Sequence, residues 1–449
     1  MKTTFLPMLA LLAQLPFLAA GAVAPADRFV AHEWGTFTSV QGADGVQFEW
    51  NPFTVAELPG FVYDRSRPGT PGGNPLQVSP FGKSYMRTLQ RMETPVVYFY
   101  SDQERAVDVT VKFPQGVVTE WYPNVSAYGP NRSAGEPAGS LLKESVIRWD
   151  QLRIVPATAQ PELTAKLPQD ASGSHYYAAR ATDSAWLKVS RAGSAKSGEV
   201  EKFLFYRGVG MFTAPLQASL PGGDEQLIRL QNHAANGIQQ LYVLRVRGDQ
   251  GAWMAVRDLK AEGEATVRLE GDRGLRPIKD VAAELGREME RALASEGLYP
   301  REAAAMVATW RDSWFAEQGL RVLYLLPRAW TDQTLPLEIK PAPGKVERVF
   351  VGRAELITPA MEFAMLKQVV RYGDADALAR GRVAEQTRQL GFGRFAEPTM
   401  HRLMNANNNR EFSTMAAQLL ADSFGKPKHD PADIPPEVTP RTTAANQFE

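Results

Sequence analysis

Val107-Asp108-Val109-Thr110-Val111-Lys112-Phe113 alternates apolar and polar side chains without a break. A strand sends successive side chains to opposite faces, so this stretch buries one face of an antiparallel sheet. Just upstream, Val96 to Tyr100 is a continuous apolar run that also reads as a strand. Further short strands are expected at Val117 to Tyr122, Ser145 to Val155, Tyr176 to Val189, Phe203 to Arg207, Leu227 to Leu230, Leu241 to Arg247, Trp253 to Arg257 and Thr266 to Leu269. Upstream, Arg28 to Val40 mixes β-branched and aromatic residues without helical spacing and is read the same way. Many short strands without intervening helices predict an antiparallel β-sandwich-like region over 23–270.

The pattern changes near Arg276. Ile278, Val281, Leu285, Met289 and Leu293 share one helical face, with Pro277 at the start and Gly297 at the stop. A second helix follows Pro300 and carries Met306, Val307, Trp310 and Trp314 in register, the buried face of a helix docking on a sheet. Arg321 to Leu326, Leu335 to Ile339 and Arg348 to Ile357 are extended pieces that can rejoin the first sheet. Helices resume after Thr358-Pro359, an N-cap and first-turn pair. The predicted class is therefore α+β, with a mixed, mostly helical region over 271–425 packed on the β-rich one. Residues 426–449 carry five prolines and few apolar residues, which predicts a disordered or strap-like tail.

Composition excludes several functions. The 449 residues hold 50 Lys+Arg against 50 Asp+Glu, so there is no long-range field to gather a polyanion, and nucleic acid is not an expected partner. There is no Cys, hence no disulfide, thiolate nucleophile or Cys-ligated metal. Lys2 followed by the apolar stretch Phe5 to Ala20 predicts a secretory signal peptide over 1–22, with Ala20-Gly21-Ala22 supplying the small-x-small cleavage signal. A soluble periplasmic or secreted protein without a transmembrane segment is the expectation. Residues 58–82 are rich in Pro and Gly and read as a long loop able to cover a cleft.

The block Ala31-His32-Glu33-Trp34-Gly35-Thr36-Phe37-Thr38 places a His and a Glu inside an apolar strand. Alternation puts His32 with Trp34 and Thr36 on one face and Glu33 with Phe29 and Phe37 on the other, so the two do not easily share one ion. A buried carboxylate needs a cation or donors to stay charged. Each is thus a candidate ligand or general acid/base, or else a structural group satisfied by a neighbouring loop. Glu93 and Glu120 also sit beside aromatic residues in expected strands and could form a glycosidase pair with Glu33, although nothing fixes their separation. Trp34 and Trp121 are candidate ligand platforms, and Arg207, at a strand exit, is free to pair a carboxylate such as Glu33.

Together with Met92-Glu93-Thr94-Pro95-Val96-Val97-Tyr98-Phe99-Tyr100 and Thr119-Glu120-Trp121-Tyr122-Pro123, the His32 block resembles a group of uncharacterised predicted secreted bacterial proteins. The resemblance extends through Trp310-Arg311-Asp312-Ser313-Trp314-Phe315 and Val351-Gly352-Arg353-Ala354-Glu355-Leu356, most of the chain. It implies a bacterial source and export, and carries over no catalytic residue.

No other chemistry is complete. The five His (His32, His175, His233, His401 and His429) show no metal-ligand spacing, so a metal site would have to assemble from distant positions such as His32, His175 or His233 with Glu93 or Glu120. Ser140 with Lys143 and Ser423 with Lys426 match Ser-x-x-Lys without the partners that motif needs. No phosphate loop or nucleophile elbow is present, and Asp374 reads as a helix N-cap. Two functions remain. One is a non-catalytic binding or structural protein of the cell envelope, contacting a glycan or an envelope protein. The other is an extracytoplasmic hydrolase, glycan-directed or metal-assisted, using His32, Glu33, Glu93 or Glu120. Cofactor and metal stay unknown.

Overall fold

The computed structural model describes residues 28–52, 58–65, 87–130, 143–158, 161–190, 198–407 and 409–425. The signal peptide over 1–22, most of the 58–82 loop, Ser140, Lys426 and the 426–449 tail lie outside the described residues.

The class is α+β, with β-sheets built largely from the N-terminal part and helices gathered toward the C-terminus. A ten-stranded sheet runs in the order Arg276–Pro277, Gln250–Leu259, Ile238–Arg247, Gly319–Leu325, Lys345–Ile357, Phe29–Gly42, Gln90–Ser101, Leu204–Gly210, Gly116–Tyr122, Tyr63–Asp64. The extended pieces after the first helices thus rejoin the first sheet: Lys345–Ile357 lies parallel to Phe29–Gly42 and links the two halves of the chain. A six-stranded sheet holds Leu337–Lys340, Arg105–Phe113, Ser145–Val155, Trp186–Val189 and Glu199–Glu201, with Ala127–Gly129 paired to Ser145–Val155. A three-stranded sheet holds Leu216–Ser219, Leu227–Asn232 and Glu264–Arg268.

The alternation in 107–113 behaves as read. Val107, Val109, Val111 and Phe113 are buried, while Asp108, Thr110 and Lys112 are not. Phe29–Gly42 differs, because all of it but Val30 is buried and both of its faces are covered. Its odd face sends Phe37 against Phe113 of the six-stranded sheet. Its even face sends His32 toward Tyr299 and Glu302, at the start of a helix. Tyr176 to Val189 is not one strand: His175–Arg180 coils into a short 3-10 turn capped by Ser174, and only Trp186–Val189 pairs.

Helices α1 (Ile278–Ser295) and α2 (Pro300–Arg311) follow, and α1 buries Val281, Leu285, Met289 and Leu293 as the spacing predicts. Helix α2 ends in a π-helical turn, Asp312–Ala316, that keeps Trp314 stacked 6.3 Å from Trp310. A short helix α3 spans Arg328–Thr334. Helices α4 (Pro359–Gly373), α5 (Ala377–Gln389), α6 (Ala396–Asn407) and α7 (Arg410–Phe424) form a bundle with its own core around Met365, Val369, Met400 and Leu419. Thr358 caps α4 by accepting from the Met361 N–H. The cap of α5 is Asp376 rather than Asp374, because α4 runs on to Gly373 and leaves Asp374 at its C-terminal end.

Candidate functional site

His32 and Glu33 are sealed on opposite faces of their strand. His32 Nδ1 lies 2.6 Å from Glu302 Oε2, under the rings of Tyr100 and Tyr299. Glu33 accepts hydrogen bonds from Tyr206 Oη and Arg348 Nε, and Arg348 also reaches Asp332. Arg207 does not reach Glu33. It forms a two-point pair with Glu120, its cross-strand neighbour, at 2.8 and 2.9 Å. Trp34 and Trp121 are fully buried.

Glu93, Glu120 and Arg207 come together because the sheet is irregular where they sit. Register shifts fall between Trp34 and Thr36, between Phe205 and Gly208, and between Arg207 and Gly208. Such bulges re-aim side chains beside functional sites. Gly35 and Gly208 let backbones pass: a Cβ on Gly35 would lie 2.7 Å from Phe350 Cε1, and one on Gly208 would lie 2.3 Å from the Val117 carbonyl oxygen. Opposite Gly35, Thr94 adopts φ 46°, a left-handed conformation uncommon outside Gly.

A row of buried charge results, crossing six adjacent strands of the large sheet. Arg321 binds Glu355 at 3.0 Å, and Arg353 binds the same carboxylate at 2.8 Å. Thr38 donates to Glu93 Oε1 at 2.6 Å; Arg91 follows at 4.0 Å, and the Arg207–Glu120 pair ends the row. Two side chains from outside the sheet close it. Glu317 binds Arg353 at 2.7 Å, and Arg394 binds Glu93 at 2.8 Å and Ser313 Oγ at 3.2 Å.

Along this row lies a cavity of about 590 Å³ lined by Arg91, Glu93, His175, Arg207, Trp310, Ser313 and Arg394 among others. Its walls are the sheet, α2 with its π-helical turn, the His175 turn and the Gly391–Arg394 segment. His175 stands over Trp310 at 5.1 Å. Three of the sequence candidates therefore meet in one cavity (Glu93, Arg207 and His175), with Glu120 bound behind Arg207, whereas His32, Glu33 and His233 lie elsewhere. The residues that sequence reasoning missed are Arg91, Ser313 and Arg394, and Trp310 reads from the sequence chiefly as the buried face of a docking helix. The local signals were slight: Arg91 and Glu93 sit two apart in an apolar strand, and Gly391-Phe392-Gly393 precedes Arg394.

Electrostatics hold Glu93 and Glu317 ionised. Burial raises the Glu93 pKa, but Arg394 and Arg91 more than offset it and hold the group well below the usual carboxylate range. Burial likewise opposes ionisation of Glu317, and Arg394, Arg353 and Arg321 again win. Among the described residues no group of three His, Asp or Glu has the geometry of a metal site, and no helix is long and apolar enough to cross a membrane.

No known protein family matches this chain, and no curated protein does. Among solved structures it is similar to the yeast delta-COP-I mu-homology domain, alone and complexed with a Dsl1 WxWxV peptide. Each match has 7% identity and a TM-score of 0.27, covering 74% of this chain and 100% of that chain. A likeness of that size assigns neither fold nor role here.

Proposed function

We propose that this chain is a non-catalytic binding protein, secreted or periplasmic in a bacterium, whose ligand enters the cavity between the large sheet, α2 and the Gly391–Arg394 segment. One observation carries the reading: the cavity gathers polar side chains from distant segments, yet its carboxylates Glu93 and Glu317 are held ionised by arginines. A general acid works with a pKa near the operating pH, and these groups are moved the opposite way. The arrangement suits recognition more than proton transfer. The hydrolase alternative rested on His32, Glu33, Glu93 and Glu120, of which only Glu93 lines the cavity. The extracytoplasmic setting is supported by the sequence alone, through Lys2, the Phe5 to Ala20 stretch and the absence of Cys. In that setting a glycan or another envelope component is the expected partner, and the balanced charge disfavours nucleic acid.

Equilibrium dialysis of the mature chain against glycan fragments from bacterial envelopes, read by mass spectrometry, tests this. The expected result is retention of fragments with unchanged mass, lost in Ala308→Trp, which fills the cavity from an exposed position of α2. Fragments shortened by the protein would replace the binding reading with the hydrolase one, and no retention would contradict it.

A further inference from the structure

The donors and acceptors around the cavity are unequally used. The inner oxygens of the carboxylates already have partners: Glu93 Oε1 takes Thr38 and Arg394, and Glu317 Oε2 takes Arg353. Arg207 is likewise committed to Glu120 through two bonds. Three lining donors are not. The Arg91 side chain makes no hydrogen bond among the described residues and meets Glu93 only at 4.0 Å. Among the described residues Arg394 Nε finds no acceptor within hydrogen-bond distance, with the Glu317 carboxylate 3.6 Å away, and Trp310 Nε1 finds none either. All three residues are at least nine-tenths buried, at 9%, 7% and 3% exposure for Arg91, Arg394 and Trp310.

Leaving a buried donor unmet is unfavourable, more so when it carries charge. Uncommitted cationic donors beside carboxylates already held by arginines favour a ligand rich in acceptors. Asp312, the remaining acid on the lining, is exposed at the rim. Resting on the binding-protein reading above, we infer that the cavity takes a small-molecule oxyanion (carboxylate, phosphate or sulfate) between Arg91, Arg394 and Trp310. Guanidinium groups match such anions with paired N–H bonds, the strongest hydrogen bonds available to a side chain. The volume leaves room for a ring attached to the anion, as in an acidic sugar.

Arg91 is the discriminating residue. Burial is the largest influence on it and, with Arg207 and Arg394 close by, outweighs Glu93 and brings its pKa down to about 10. Its charge is thus disfavoured by the empty fold, and the hydrogen bonds its side chain lacks there are the ones a ligand supplies. A residue serving only structure would lower stability on replacement and leave affinity unchanged.

The test is calorimetric titration of the full mature chain with inorganic phosphate, sulfate and glucuronate, each against chloride at equal ionic strength, with glucose as the uncharged control. The expected result is saturable one-site binding of at least one oxyanion, the tightest of the three naming the headgroup. Binding should weaken about tenfold or more in Arg91→Met, about the size of one charge-assisted contact. It should vanish in Ala308→Trp, with melting temperatures of both variants near the parent's. Arg394→Gln serves as a second variant if Arg91→Met fails to fold. No oxyanion-specific heat, or undiminished affinity in the folded arginine variant, overturns the oxyanion assignment. If uncharged fragments are still retained and lost in Ala308→Trp, the binding-protein reading survives that failure; if nothing is retained, both fall.

Discussion

At the level of single residues, the protein places charge in its interior and satisfies most of it pairwise. Glu33 and Arg348 are both buried and hydrogen-bonded to each other. Arg348→Met should destabilise the chain by about 3–5 kcal/mol, because an uncompensated carboxylate remains between Tyr206 and the sheet. Denaturant unfolding measures this, and a loss under about 1 kcal/mol would contradict it. Two groups make stability depend on pH in opposite ways. Glu93 is depressed in the fold, so its contribution is present above the ordinary carboxylate range and is lost as pH falls through its lowered folded value. Glu93→Gln is therefore expected to be less stable than the parent at neutral pH, with a gap that closes on acidification. Lys202 is buried, donates to the Ser184 carbonyl and lies 4.5 Å above the Trp186 ring. Burial lowers its pKa from 10.5 to about 8. Between those values the unfolded chain binds the extra proton, so the Lys202 term makes stability rise with pH across that window. Lys202→Met should flatten this slope in melts between pH 8 and 10.5, and an unchanged slope would contradict the assignment.

Among the elements, the strands were legible in the sequence and their irregularities were not. Alternation in 107–113 was enough to place its buried face, and the same rule correctly separated His32 from Glu33. The bulges beside Gly35, Thr94 and Arg207 arise from how neighbouring strands register, a property of the assembled sheet with no period in the chain. They decide that Glu93 and Arg207 face one cavity. The long strand read over Tyr176 to Val189 failed because Ser174 offers the backbone a cap and a turn instead. Gly35→Ala is the sharpest probe of this irregularity. Its methyl would press on Phe350 and on the Pro95 Cα, 3.0 Å away, and overpacking of this kind costs about 1–3 kcal/mol. Unfolding of the variant in denaturant should show a loss in that range with an unchanged slope.

For the whole molecule, early and late segments of the chain meet across the sheet, and the cavity exists only because they do. Thr38 and Glu93 come from the first strands, Arg353 from a late one, Glu317 from the turn after α2, and Arg394 from the segment leading into α6. No local reading of 50 Lys+Arg could single out Arg91 and Arg394, because what distinguishes them is a contact not made at all or a contact made more than two hundred residues away. The α4–α7 bundle has its own core and is tied to the sheet through few groups, chiefly Arg394, Arg402 with Asp44, and Trp50 against Phe395. Hydrogen exchange should therefore open α5 and α7 at lower free energy than the strand Phe29–Gly42, which is covered on both faces. The most direct measurement of the central claim is diffraction from crystals of the mature chain soaked in selenate, with the anion located by its anomalous signal. We predict a selenate within hydrogen-bond distance of Arg91 and Arg394 in the cavity. Selenate found only on exposed arginines, with the cavity empty, would contradict the account.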